Sequence, residues 1–390
     1  MIARLHIGKS TRADVAEAVH EAVGDALKDA LHPALAVALA TDEYPAEALA
    51  SRLSEALGKV PWVGCSAAGV FAGPQLLRQG LVVGVVSSAQ AYVGVGAAGP
   101  IGGNPRSAGA AAVARALDQI PGAAAGRGRA MLLFLNALGG HGAEVVRGAV
   151  HEGGNAAAWA GGGAGDNLRF IHAAQFARGK AFTDHAVAAA LDLPGPVGAG
   201  MRHGWRPYGP PTMITRARGP MAVELEYEQA FEVYRRTAAA HGDQVTAEGF
   251  TAFAMNHPLG IPQADGDHLI RDPISVDDAG CLRCVAEVPD GSLVRVMESG
   301  AEELFAAARG AAEAARAACG GAVGGAFVFD CVSRFLLLGD AIGQELGAVA
   351  AGLGEGVPWM GCLTMGEVGA LGSGVPQFHN KTAVVLALPG

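Results

Sequence analysis

Apolar runs of strand length alternate with runs whose apolar positions recur at helical spacing along most of this chain, the pattern of an α/β protein. Strands are predicted over 34–40, 60–65, 81–87, 92–97, 131–136 and 157–161, with helices over 46–58, 107–120 and 143–153 between them. A strand, helix, strand unit with a glycine-rich exit therefore occurs at 34–69 and again at 131–166, and recurs at 326–366 through a helix over 338–353. The dodecapeptide VPWVGCSAAGVF at 60–71 returns as VPWMGCLTMGEV at 357–368, and AAWAGGGAGD at 157–166 shares Trp-x-Gly and the glycine-rich exit. Copies so far apart head related regions rather than successive turns of a solenoid.

Over 170–228 the texture changes to short β-like runs broken by Gly and Pro, as in GWRPYGPPTMITRARGP, which reads as hairpins. A helix over 227–241 follows, and the boundary is placed within 243–251, giving domains 1–242 and 243–390. The second region continues with strands over 282–288 and 293–298 around a PDG turn, a helix over 301–319 and a last strand over 383–388. The expected fold is α/β, with two related regions of mixed sheets flanked by helices and internally duplicated strand-helix-strand-Gly-turn units.

Composition changes this picture little. The stretch 79–105 carries no charge but contains many Gly and Ser and alternates as strands do, so two buried strands are expected rather than a membrane span. The net charge is −9 and no Lys or Arg cluster occurs, which argues against nucleic acid. Six scattered Cys and an N-terminus without an apolar signal core point to free thiols in the cytoplasm.

Candidate chemistry sits at the strand exits. Successive glycines in GCSAAG, GGGAGD and GCLTMGE would let a ligand approach backbone N–H groups, or would allow tight turns and close packing of the repeated units. Asp166 and Glu367 stand at exits where a carboxylate meets a ligand ammonium or holds a loop through backbone N–H groups. Arg334, between apolar runs, must be paired, with a ligand carboxylate or with Asp330 or Glu367. Cys65, Cys331 and Cys362 at strand ends are buried thiols or, with a base such as His379, nucleophiles. GCSAAG misses the GxSxG spacing; GVGAAG at 94–99 matches GxGxxG but is followed by Pro100, with its helix too late for a pyrophosphate. Cys281 and Cys284 form a single CxxC whose side chains would face opposite ways on a strand, and the dispersed histidines single out no metal set.

Taken together, VGCSAAG (63–69), GGGAGDN (161–167), the 204–234 segment, PLGIP (258–262), DCVSR (330–334), MGEVG (365–369) and FHNKTAVVLAL (378–388) resemble the FIST family, a FIST N region followed by a FIST C region. The resemblance implies a sensory module for a small ligand, amino-acid-like or, by likeness to haem-based nitric oxide sensors, haem. The two regions use up the chain, so the signal is expected to pass in trans to a partner such as a histidine kinase or cyclic-nucleotide enzyme. The candidate ligand site comprises Cys65, Ser66, Gly69, Gly162, Gly163, Asp166, Asn167, Cys331, Arg334, Cys362, Thr364, Gly366, Glu367, His379 and Asn380, with His257 and His379 as the haem-ligand guesses. The alternative is a cysteine-dependent acyl-transfer or hydrolytic enzyme using Cys65 or Cys362 with His379.

Overall fold

The computed structural model describes residues 2–122, 125–264, 266–372 and 374–390. The unit read from the sequence occurs three times, each around a parallel strand pair bridged by a helix. Pro33–Thr41 runs parallel to Trp62–Ala67, Arg127–Asn136 to Ala158–Ala164, and Val323–Cys331 to Trp359–Thr364. Each pair is continued on one side by two antiparallel strands. These are Leu81–Ser87 and Arg4–Ser10 in the first sheet, Ala186–Pro194 and Tyr92–Ala98 in the second, and Ala383–Pro389 and Gly198–Arg202 in the third. The weak AAWAGGGAGD match is thus a full structural equivalent, with Trp62, Trp159 and Trp359 in corresponding places.

The other edge of each sheet is completed by a hairpin from a different unit. Val70–Ala72 and Gln75–Leu77 leave the first unit and join the third sheet beside Trp359–Thr364. Gln175–Ala177 and Lys180–Phe182 leave the second unit for the first sheet. Glu367–Gly369 and Gln377–His379 leave the third for the second sheet. The exchange is cyclic and covers an edge that would otherwise be open to pairing.

Both faces of these sheets are buried, which explains continuous apolar runs such as LVVGVVS rather than alternation. The inner faces share one core, in which Leu39, Val63 and Val86 of the first sheet meet Leu132, Phe134 and Leu191 of the second and Phe327, Phe329 and Leu386 of the third. Phe134 and Phe329 meet edge to face across it at 5.8 Å. The outer faces are covered by Val15–Leu27 and Ala46–Leu57, by Pro105–Leu117 and Gly142–Gly153, and by Ala301–Ala318 and Ile342–Leu353. Gln79–Pro105 holds the two buried strands expected of it. The first strand and helix, Arg4–Ser10 and Val15–Leu27, have no counterpart among the elements that the sequence predicts.

Glycine does a specific job in this packing. Gly64, Gly161 and Gly361 occupy the same place two residues after each Trp, where a Cβ would overlap the carbonyl oxygen of Ala38, Leu133 or Val328 on the neighbouring strand. The GxGxxG glycines Gly94 and Gly96 face Ala116 and Ala112 carbonyls of the Pro105–Leu117 helix, so that motif brings a helix onto a strand. Gly8, Gly198 and Gly200 do the same in the other two units.

Residues 206–298 depart from the third unit between Gly198–Arg202 and Ala301–Ala318. They form a nine-stranded sheet with the helices Ala230–Ala240 and Phe250–Asn256, around its own core of Tyr234, Phe250, Ile214 and Leu282. The 242/243 boundary falls between those two helices, inside this module. Ala substituted at Gly64 or Gly361 should cost about 3 kcal/mol or more, because a backbone carbonyl cannot yield. Gly24→Ala, on a helix position with nothing within 4 Å, should gain about 0.5–1 kcal/mol. Thermal melts of the three variants check both signs.

Candidate functional site

The three glycine-rich exits do converge, and their backbone groups hold the units to one another. Ser66 N–H donates to Ala174 O at 2.8 Å, Gly163 N–H to Gly366 O at 2.8 Å, and Leu363 N–H to Gly69 O at 2.9 Å. Ser66 Oγ adds a bond to Gly165 O at 2.7 Å and accepts one from Ala174 N at 2.9 Å. Gly162 pairs with Glu367 in the ladder, Gly69 packs against Leu363 and Leu76, and Gly366 at φ +88° leaves room for the Phe378 ring. Of these exits, Met365 and Gly366 reach a cavity.

The charged candidates are buried and satisfied within the protein. Asp166 is fully buried and accepts four backbone N–H groups, from Arg169, Phe170, Ile171 and His172, at 2.7–2.9 Å. Burial pushes its pKa up, but these donors outweigh burial and hold the carboxyl below its ordinary value. Asn167, next to it, is exposed and donates its N–H to Asp42 at 3.2 Å. Arg334 is fully buried: Nε bonds Glu345 at 2.7 Å and stands 3.2 Å from Asp330, while the terminal nitrogens reach the carbonyls of His203 and Leu304 and Glu345 again. Of the two carboxylate partners named from sequence, Asp330 is met and Glu345 takes the place of Glu367. Burial and the neighbouring Glu345 push Asp330 well above its ordinary value.

Glu367 accepts from Thr364 Oγ1 at 2.8 Å and from Thr382 Oγ1 and N–H at 2.8 and 3.1 Å. Thr364 is itself buried, and its Oγ1 also stands 3.2 Å from Asp330 O. Burial dominates these bonds and pushes the Glu367 pKa up to about 7. Its ionisation therefore costs stability as pH rises through neutrality.

Four of the six thiols fall into two places. Cys65 and Cys362 lie in the central core, and burial, with the neighbouring Cys65 thiol, pushes the Cys362 pKa well up. Cys331 and Cys284 line the cavity, and burial raises both, Cys284 to about 12. His379 sits in the ladder opposite Glu367, where burial and the nearby Arg271 push its pKa down to about 3. No hydrogen bond joins it to either core thiol among the described residues. His257 stacks on Phe253 at 3.9 Å and bonds Phe253 O through Nδ1. Neither histidine lines the cavity, so the two residues named for haem do not fit that group there.

The cavity encloses about 420 Å³ between the inserted module and the three-unit body. Pro220, Met255, Pro273, Ile274 and Val285 form one wall; Ala137 to Gly140, Val332, Leu336, Met365 and Gly366 form the other, with Phe170 at the rim. Besides the exposed Thr251 and Arg283, its polar groups are Asp272, Ser333, Asn380 and Lys381. Ser333 Oγ donates to Asp272 Oδ2 at 2.6 Å, Lys381 Nζ lies 3.2 Å from Asp272 Oδ1, and Nζ also donates to Met255 O at 3.0 Å. Of these four, Asn380 was named from sequence. Ser333 and Lys381 lie inside the motifs DCVSR and FHNKT but are not among the candidates there, and Asp272 comes from the inserted module, where no pattern marks it.

The FIST N domain model matches residues 34–228 and the FIST C domain model residues 230–370. This chain belongs to the FIST family. FIST domains are associated with sensory signal transduction and small-ligand binding. No curated protein matches this FIST protein. Among solved structures it is similar to a cyanuric acid hydrolase from A. caulinodans at 10% identity, covering 100% of this chain and 99% of that one, with a TM-score of 0.35. That likeness is too loose to carry an argument. Among the described residues no group of three or more His, Cys, Asp and Glu is placed to hold a metal. One helical stretch, Val332–Leu353, is long and apolar enough to cross a membrane; here Gly339 at φ +53° breaks it, and it carries the buried Arg334 and Glu345.

Removing Arg334 strands two buried carboxylates, so Arg334→Ala should cost about 3–5 kcal/mol in a denaturant titration. Asp166 stabilises the fold fully above its unfolded pKa of 3.8, and that contribution is lost as pH falls through the lower folded value. Asp166→Asn should therefore lose about 2–3 kcal/mol at neutral pH. In melts followed against pH, its gap from the parent should close below about pH 4.

Proposed function

We propose that this FIST protein is a cytoplasmic sensory protein that binds a small ligand in the Asp272–Ser333–Lys381 cavity and signals to a partner in trans. The observation that carries the reading is the cavity's construction from two bodies. One wall belongs to the inserted module and the other to the strand exits, and the Ser333–Asp272–Lys381 contacts cross between them. A ligand filling the space touches both walls at once. It would favour whichever arrangement of module and body closes on it, which is the differential affinity a sensor needs. The partner would then read that arrangement, and a histidine kinase or a cyclic-nucleotide enzyme is the class of output that fits.

The cysteine-enzyme reading gains no support from the geometry. Cys65 and Cys362 lie in the core, away from the cavity lining, and the base they would need is not at hand. Mass spectrometry of natively purified protein tests the sensor reading. A stoichiometric co-purified molecule that disappears in Val332→Trp, which fills the cavity, supports it. Retention of the molecule in that variant places binding elsewhere and defeats the reading.

A further inference from the structure

We infer that the cavity selects an uncharged, largely apolar molecule carrying an amide-like edge, not an amino acid or a simple ion. The inference rests on the cavity reading above and names its ligand class. The two charges on the floor are spent on each other: Asp272 is 4% and Lys381 1% exposed, and they are paired at 3.2 Å. Asp272 also accepts from Ser333, and Lys381 is further fixed by Met255 O and by the Trp205 ring 5.4 Å away. A zwitterion or ion entering here would have to break that pair, leaving a charge buried without its partner. Arg283 also lines the cavity, but it is exposed, where water screens its charge.

The unspent polar group is Asn380. It lines the cavity, is 1% exposed, and its carboxamide oxygen has no hydrogen-bond partner. A buried acceptor left unmade is costly; the oxygen is itself covered, so the carboxamide turns about its terminal torsion to meet a ligand donor and recovers that cost while apolar atoms fill the space among Met255, Ile274, Val332 and Met365. A carboxamide is best complemented by a group offering a donor and an acceptor side by side, which is the edge of another amide.

Titration calorimetry at neutral pH with four probes on one skeleton tests this: hydrocinnamamide, hydrocinnamate, phenylpropylammonium and phenylalanine. The amide should bind at least about tenfold tighter than the other three, with binding abolished in Val332→Trp. Asn380→Leu should lower amide affinity about tenfold while leaving the melting temperature unchanged or raised, since it removes an unpaired buried group. Equal or tighter binding of phenylalanine or either ion, still lost in Val332→Trp, would overturn the inference and leave the cavity reading standing. Amide binding that survives Val332→Trp, or that is indifferent to Asn380→Leu, would also overturn it. Binding by none of the four would remove the inference and count against the cavity as the ligand site.

Discussion

Two strands cannot lie in register while a side chain occupies the space of a neighbour's carbonyl, and this steric limit at Gly64, Gly161 and Gly361 governs the architecture. Each glycine lets a parallel pair close, each pair aims its exit at the same centre, and the exits then trade backbone hydrogen bonds in a ring. The sheet cores, the exchanged hairpins and the cavity beside the third exit all follow from that approach.

Much of this was legible in the sequence because it depends on local pattern. Apolar runs bounded by glycine gave the strands to within a few residues, and the VPWxGC repeat marked equivalent places through a Trp that anchors each strand and a glycine with no substitute. The inserted module was harder. Its strands are two to seven residues long and half-exposed, so neither a buried run nor a clean alternation announces them. The helix Phe250–Asn256 fell where a boundary had been read, because a short helix ending at Asn256 just ahead of Pro258 looks like a loop.

The site was legible in its parts and not in its assembly. Sequence reasoning attends to residues that ought to be unusual, and Arg334, Asp166 and Glu367 are unusual: buried charges in apolar surroundings. Their partners proved to be the protein itself, because taking a charge out of water is sustainable only where donors or acceptors converge on it. The cavity is lined by less conspicuous residues, with Asp272 arriving from more than 60 residues before Ser333 along the chain. No spacing rule links them, since the third dimension is what brings them together.

The hairpin exchange also bears on what a FIST domain is as a physical object. The boundary between the two family regions near residue 229 divides the chain's sequence but not its sheets. Residues 70–77, from the N region, finish the third sheet, and residues 367–379, which begin within the C region, finish the second. Each region holds strands that the other lacks, so the pair is interlocked in the way of two clasped hands. Neither half on its own could close every sheet edge that it contributes.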